Sequence, residues 1–262
     1  MPFTPSHAVV ALPFVRTPLL PAAIAIGAMT PDLPLFVRGV GLGYGFTHAG
    51  TNIVWTGLIA FGLFLVWRVL LRPAVAELSP AWAAARLPRE WNQRPAAAAR
   101  QSLGAGESRW YPLLLAASLL IGVASHILWD LFTHEGRWGS QVLPILDAEW
   151  GPLQGFKWLQ HGSSVVGLAI IGIWMLVWLR RRTPREPVER LLPGWVRVAW
   201  WLSLPAVLVV AWVAGLVLYG PLDDDFTVQH LAYRVLPPAC AVWGALTAVL
   251  CVVVGVRRSS AH

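Results

Sequence analysis

The chain is 262 residues long and 56% hydrophobic, with only 13% charged residues and a mean hydropathy of +0.59. So low a charged fraction excludes a disordered chain, a nucleic-acid-binding arm and an ordinary cytosolic enzyme, and points to a polytopic membrane protein. The formal charge is +7, but the basic residues lie between apolar segments, where they report topology before they report a binding partner; no nucleic-acid partner is inferred.

Residues 1–30 are apolar yet broken by Pro5, Pro13, Pro18 and Pro21, with Arg16 in the middle. No basic segment precedes the apolar part, so a cleaved signal peptide is not expected. The stretch 18–29 is short for a span. The pattern predicts two short helices, over about 5–14 and 18–30, forming a re-entrant or interfacial hairpin that starts and ends on the outer side. The alternative is a sixth span with a cytoplasmic N-terminus. Five full spans follow, over about 51–71, 111–133, 162–179, 198–219 and 235–256. Trp67, Trp110, Trp178, Trp195 and Trp200 lie near their ends, as an interfacial belt would place them. The fold expected is all-α, one integral-membrane domain over 1–262. It comprises an N-terminal hairpin and outward loop (1–50), core spans (51–179), an Ala-, Arg- and Pro-rich cytoplasmic linker (73–110) and two final spans (198–256).

The loops alternate in charge. Fifteen basic residues fall on one side, after the first, third and fifth spans; four fall on the other, Arg38, Arg137, Lys157 and Arg234, and Arg16 is unassigned. The positive-inside rule then puts 72–110, 180–197 and the C-terminus in the cytoplasm of an inner-membrane protein, and turns 31–50, 134–161 and 220–234 outward. Arg180–Arg182 reads as a stop-transfer anchor and Asp223–Asp225 as a solvated loop. Cys240 and Cys251, about 16 Å apart along one helix, cannot bridge each other.

The polar residues near the outer ends of the spans carry the chemistry. His126, Asp130 and His134 stand at i, i+4 and i+8, on one helix face. A carboxylate near bilayer depth costs roughly 2.5–3.5 kcal/mol at a helix centre, and a bound cation removes that cost. Imidazole with carboxylate suits zinc, or iron or manganese in a more oxygen-rich shell. Asp32 and His48 flank the outward 31–50 loop, His161 closes the 134–161 loop, and a hairpin puts His7 on the same side. His230 and His262 read as incidental.

The order His, Asp, His, HxxxD, His, His resembles the ligand order of zinc-dependent phospholipases C and single-strand-specific zinc nucleases. The segments Met-Pro-Phe-Thr-Pro-Ser-His, Pro-Asp-Leu-Pro and Ser-His-Ile-Leu-Trp-Asp-Leu-Phe-Thr-His resemble the bacterial membrane proteins of domain of unknown function 4184, which are similar to YdjM-type inner-membrane metal-dependent hydrolases. The resemblance implies one complete metal site from Asp32, His48, His126 and Asp130. It implies a second metal bound with His7, Asp130 bridging, and part of a third site from His134 and His161. The soluble enzymes carry a carboxylate four residues after the last His; here that position is Val165, so the third site is short of a ligand unless Glu135, Asp147, Glu149 or Ser164 substitutes. They also use an N-terminal amine, whereas this chain begins with Met1.

The function expected is a membrane-embedded hydrolase using one or two divalent metals, zinc by chemistry, on a phosphoester or lipid-linked substrate at the outer interface. Asp32 and Asp130 are the candidate catalytic acids, and Arg137 is placed to neutralise an anionic group. An ion path would need polar residues through the full membrane depth, and the inner halves of the spans carry almost none. A b-type haem between His126 and His161 would leave Asp32, Asp130 and His134 unexplained. A purely structural metal site is the remaining alternative. The bilayer is the one partner implied; oligomeric state is not legible.

Overall fold

A computed structural model of the chain describes residues 3–185 and 189–260; the opening Met1 and Pro2 and the terminal His262 lie outside the described residues. The protein is all-α and polytopic. Among the described residues five helices are long and apolar enough to cross a membrane. They are α2 (Gly50–Leu78), α3 (Tyr111–Thr133), α4 (Gly155–Arg180), α5 (Gly194–Tyr219) and α6 (Val228–Ser260), preceded by a short helix α1 (Pro21–Met29). The expected 1–30 hairpin is there: a 3-10 helix at Thr4–Phe14 turns back through an exposed segment holding Arg16 and packs on α1. Helices run past the apolar segments at several ends. α4 begins at Gly155 and α6 at Val228, the latter continuing through Pro237 and Pro238, because hydropathy marks hydrocarbon depth and not the last hydrogen-bonded turn. The only strands among the described residues are β1 (Glu149–Trp150) and β2 (Leu153–Gln154), an antiparallel pair in the 134–161 loop.

The chain divides into two compact units. The first comprises 1–33, 43–65 and 103–181. Here α1 lies directly on α3. The crossing is possible because Gly27 and Gly122 face each other's backbone: a Cβ at Gly27 would lie 2.3 Å from the Leu119 carbonyl oxygen, and one at Gly122 would lie 2.2 Å from that of Ile24. Small residues at a crossing allow the contact that membrane helices rely on where no hydrophobic drive separates them from lipid. The start of α1 is satisfied from the same direction, since the Leu20 N–H donates to Ser118 Oγ at 2.9 Å. That bond meets the requirement that non-helical backbone at depth be buried and paired. Gly167 of α4 backs Ser6, and the Phe3 N–H donates to Ser164 Oγ at 2.8 Å, so α4 seats the 3-10 helix.

The second unit comprises 34–42, 66–102 and 182–262. The segment expected to be a linker with little chemistry contains a buried anchor. Glu77, fully buried near the end of α2, accepts the N–H groups of Leu191 and Leu192 at 3.0 and 3.1 Å and pairs with Arg197 at 3.3 Å. Arg190 bonds the carbonyls of Ala76, Glu77 and Ser79, and Arg258 that of Pro73. Arg190 and Arg258 are therefore fastened to main-chain oxygens near the end of α2. Ala74, Leu78, Leu192, Cys251 and Val254 form the core beside them. α5 and α6 are joined by Trp200 Nε1 donating to Thr247 Oγ1 and Trp243 Nε1 to Ser203 Oγ. In the 220–227 turn Asp223 Oδ1 accepts the N–H groups of Asp225 and Phe226, so that aspartate is occupied by the turn itself.

Two substitutions test these contacts by thermal unfolding in detergent. Gly122→Ala, forced against backbone, is expected to destabilise by about 2–3 kcal/mol, whereas Gly62→Ala on α2, with open space around it, is expected to be neutral or slightly stabilising. Glu77→Ala, which strands two buried N–H groups and the Arg197 guanidinium, is expected to cost about 3 kcal/mol or more.

Candidate metal centre

The first unit gathers polar side chains from four segments. α3 supplies His126 and Asp130 from adjacent turns of one face, both buried. Asp32 ends a short 3-10 turn, Thr30–Asp32, immediately after α1, and is fully buried. His48 caps the four-residue helix Tyr44–Thr47. His7 is buried in the 3-10 helix. Thr47 holds two of these segments together, since its hydroxyl donates to the Pro31 carbonyl at 2.7 Å. The residue before His48 is thus tied to the residue before Asp32.

The imidazoles are oriented by the backbone. His126 Nδ1 stands 2.7 Å from the Ala28 carbonyl, and His48 Nδ1 3.0 Å from the Tyr44 carbonyl. A carbonyl can only accept, so each Nδ1 carries the proton and donates it. Each Nε2 is then left with a lone pair. The two Nε2 atoms face each other at 3.2 Å. Asp32 Oδ1 lies 3.6 Å from His126 Nε2 and 3.8 Å from His48 Nε2, and Asp130 Oδ2 lies 3.4 Å from both. A tetrahedral zinc site with bonds of 2.0–2.1 Å has ligand–ligand edges of about 3.3 Å. His48 Nε2, His126 Nε2 and Asp130 Oδ2 stand close to that spacing and form one group fit to hold a divalent cation, with Asp32 Oδ1 within 3.8 Å of both imidazoles. The main-chain carbonyls behind both histidines supply the outer partners such ligands use to fix their tautomer.

His7 stacks on the His126 ring, centroids 4.0 Å apart, and groups with Asp32 and His126. The two groups, His48–His126–Asp130 and His7–Asp32–His126, share His126. Four buried atoms around them have no hydrogen-bond partner: His7 Nε2, Asp32 Oδ1, Asp130 Oδ1 and His134 Nε2. Burial depresses the His7 imidazole to about 3, the neighbouring His126 adding to the effect. Burial raises the Asp32 carboxyl above its ordinary range, opposed by His126 and by the Thr4 hydroxyl. His134 is lowered, mainly by burial, and the Tyr44 phenol is raised by burial and by Asp130.

The seven sequence-derived ligands are not placed alike. Asp32, His48, His126 and Asp130 meet, with His7 beside them. His134 is not a third residue on the helical face: α3 ends at Thr133 and His134 is extended (φ −129, ψ 142). Its Nδ1 still turns back to the Asp130 carbonyl at 3.2 Å, and lies 3.7 Å from Asp130 Oδ2. His161 is exposed on α4 and belongs to neither group. Ser164 bonds Phe3 and the Gln160 carbonyl, and Val165 is 69% exposed. Arg137 is exposed beside the cluster, near enough to press on His134 and Tyr44 electrostatically.

Sequence reading passed over two partners. Thr4 donates its hydroxyl to Asp32 Oδ2 at 2.7 Å. Tyr44 stacks on His48 at 3.7 Å and reaches Asp130 Oδ2 at 3.3 Å. Tyr44 stands at i−4 from His48, a helical spacing that could have drawn notice; nothing in the sequence links Thr4 to Asp32.

No curated protein and no solved structure matches the chain. A family does, over residues 1–257. With the Pro-Asp-Leu-Pro and HxxxD segments both inside that match, the chain belongs to the family described as Domain of unknown function (DUF4184).

Proposed function

We propose that the buried histidine–aspartate cluster binds a divalent cation, zinc by its donor chemistry, in a membrane-embedded metal-dependent hydrolase that acts on a phosphoester or lipid-linked substrate. One observation carries the reading: two Nε2 lone pairs and two carboxylate oxygens converge at 3.2–3.8 Å in a buried place with no internal donor for Asp32 Oδ1 or Asp130 Oδ1. A divalent ion held there would supply a water with its pKa lowered toward about 7 and a positive charge for a scissile oxygen. The chain's own parts follow from their placement. His48 and His126 ligate through Nε2, steered by the Tyr44 and Ala28 carbonyls. Asp32 and Asp130 ligate and are the groups placed to accept a proton; Thr4 and Tyr44 hold them in position. Arg137 neutralises an anionic substrate at the rim. The unpartnered Nε2 atoms of His7 and His134 provide room for a second cation or a substrate group. The charge alternation of the loops supports an inner-membrane protein with its C-terminus in the cytoplasm and this site on the outer face.

A second reading has its own support. Asp32 lies within 3.8 Å of both imidazoles, and a shell closed by a fourth protein donor is the mark of structural zinc. Activity separates the two.

Metal analysis of the purified protein is expected to find about one zinc-class ion retained by wild type and by His161→Ala, and none by His126→Ala or Asp130→Asn. Protons compete with a cation for imidazole ligands, so retention falls as the pH is lowered. Metal at a hundredfold excess over its dissociation constant stabilises the wild type by about 2.7 kcal/mol in thermal unfolding, a gain absent in His126→Ala. Equal retention in all variants would sink the site.

Turnover of a generic phosphodiester and of phospholipid vesicles, with and without chelator, tests the hydrolase. Chelator is expected to abolish it, and Asp130→Asn to lower it by at least about a hundredfold. Bound metal with no turnover of either substrate leaves the structural reading.

A further inference from the structure

The second unit contains a cavity of about 800 Å³ with a mostly apolar lining. Its lining brings Arg185, Arg190 and Arg197 together with Leu78, Trp201 and Leu202. The volume lies in the range of small-ligand sites. None of these residues takes part in the metal centre.

The three guanidinium groups are in different states. Arg197 is paired with Glu77 and bonds the Leu192 carbonyl. Arg190 bonds three carbonyls near the end of α2 and keeps its positive charge without a carboxylate of its own. Arg185 is held only by its backbone, its N–H donating to the Ala85 carbonyl at 2.9 Å. Its Nη1 is buried with no hydrogen-bond partner among the described residues. Among the described residues no carboxylate lines the cavity, and Glu77 offsets Arg197 from outside the lining. The Arg190 guanidinium is lowered by desolvation and by the charge of Arg197, with Glu77 opposing. A buried charged donor without an acceptor is costly, and an anion seated in the cavity beside Arg185 would offer it one.

The apolar lining narrows the chemistry of the anion. Val198, Trp201 and Leu202 lie in the first two turns of a span and are each more than half exposed, at 59, 55 and 63%. A ligand with its charge at Arg185 would have these side chains running on into hydrocarbon. A soluble phosphate would use the arginines and leave the apolar side chains bare. We propose that the cavity holds the phosphate headgroup of an anionic phospholipid, bound by Arg185 and lying under the field of Arg190, with the acyl chains along Trp201 and Leu202. Arg–phosphate pairing is favoured because the planar guanidinium presents two N–H groups in parallel. On the positive-inside reading these basic residues face the cytoplasmic leaflet, where a negative surface potential already concentrates such lipids.

The test uses the full chain in detergent, titrated calorimetrically with short-chain phosphatidylglycerol, with phosphatidylcholine of the same chain length, and with inorganic phosphate. Phosphatidylglycerol is expected to saturate, and phosphatidylcholine to bind more weakly. Arg185→Gln is expected to weaken phosphatidylglycerol about tenfold; Arg185→Lys keeps the charge but not the paired N–H groups and recovers part of the affinity. The Arg185 side chain supports no internal bond through Nη1, so the melting temperature of Arg185→Gln is expected to match wild type. Equal affinity for the two lipids in wild type would overturn the proposal without recourse to any variant. Undiminished phosphatidylglycerol binding by a folded Arg185→Gln would overturn it too. Inorganic phosphate binding as tightly as phosphatidylglycerol would replace the lipid with a soluble anion.

Discussion

Two imidazole nitrogens that both bear lone pairs stand 3.2 Å apart in a buried place, with carboxylate oxygens 3.4–3.8 Å from each. Their tautomers follow from the two carbonyls behind them, so neither ring can turn its N–H inward without giving up a main-chain bond. Electron-rich atoms packed this closely repel one another unless positive charge lies between them. The rest of the first unit serves this convergence. The Gly27–Gly122 crossing brings the Ala28 carbonyl to His126, and Thr47 brings the His48 segment to Asp32. α4 backs the 3-10 helix that carries Thr4 and His7.

Glu77 shows what the same fold does with a carboxylate that needs nothing from outside. It is as deeply buried as Asp32, yet both its oxygens accept internal donors, two main-chain N–H groups and one guanidinium. Asp32 and Asp130 each keep an oxygen without a partner. Burial alone therefore does not separate a structural acid from one awaiting a ligand; the donors around it do.

Much of this was legible in the sequence, for identifiable reasons. The i, i+4 spacing of His126 and Asp130 needs only the pitch of a helix, and the apolar run around them leaves no doubt about the helix. Asp32 and His48 joined them through the alternation of basic loops, which sorts residues by membrane side without any knowledge of packing. The arithmetic stopped where the helix did. Extending the i+4 register to His134 assumed another turn beyond Thr133, and the backbone there is extended. His161 was taken for the head of a span, but α4 starts at Gly155, so the residue lies well inside a helix whose exposed side it occupies. Thr4 and Glu77 were illegible because their partners are 28 and more than 110 residues away and no periodicity connects them. An isolated Glu in an Ala- and Arg-rich stretch looks solvated until the chain that covers it is known.

The bond between Leu20 and Ser118 and the crossing of Gly27 with Gly122 join segments made far apart in time. During synthesis the first 32 residues leave the ribosome with their polar turn unpaired, and the serine that pairs it is roughly 90 residues behind. The hairpin has no resting place in the bilayer until α3 has been inserted, and its outer flank is bare until α4 follows. Assembly of the histidine and aspartate cluster is thus a late event in biogenesis, completed by the middle of the chain returning to its beginning. Were the cluster to hold an ion, that ion would be acquired only after α3 had been inserted.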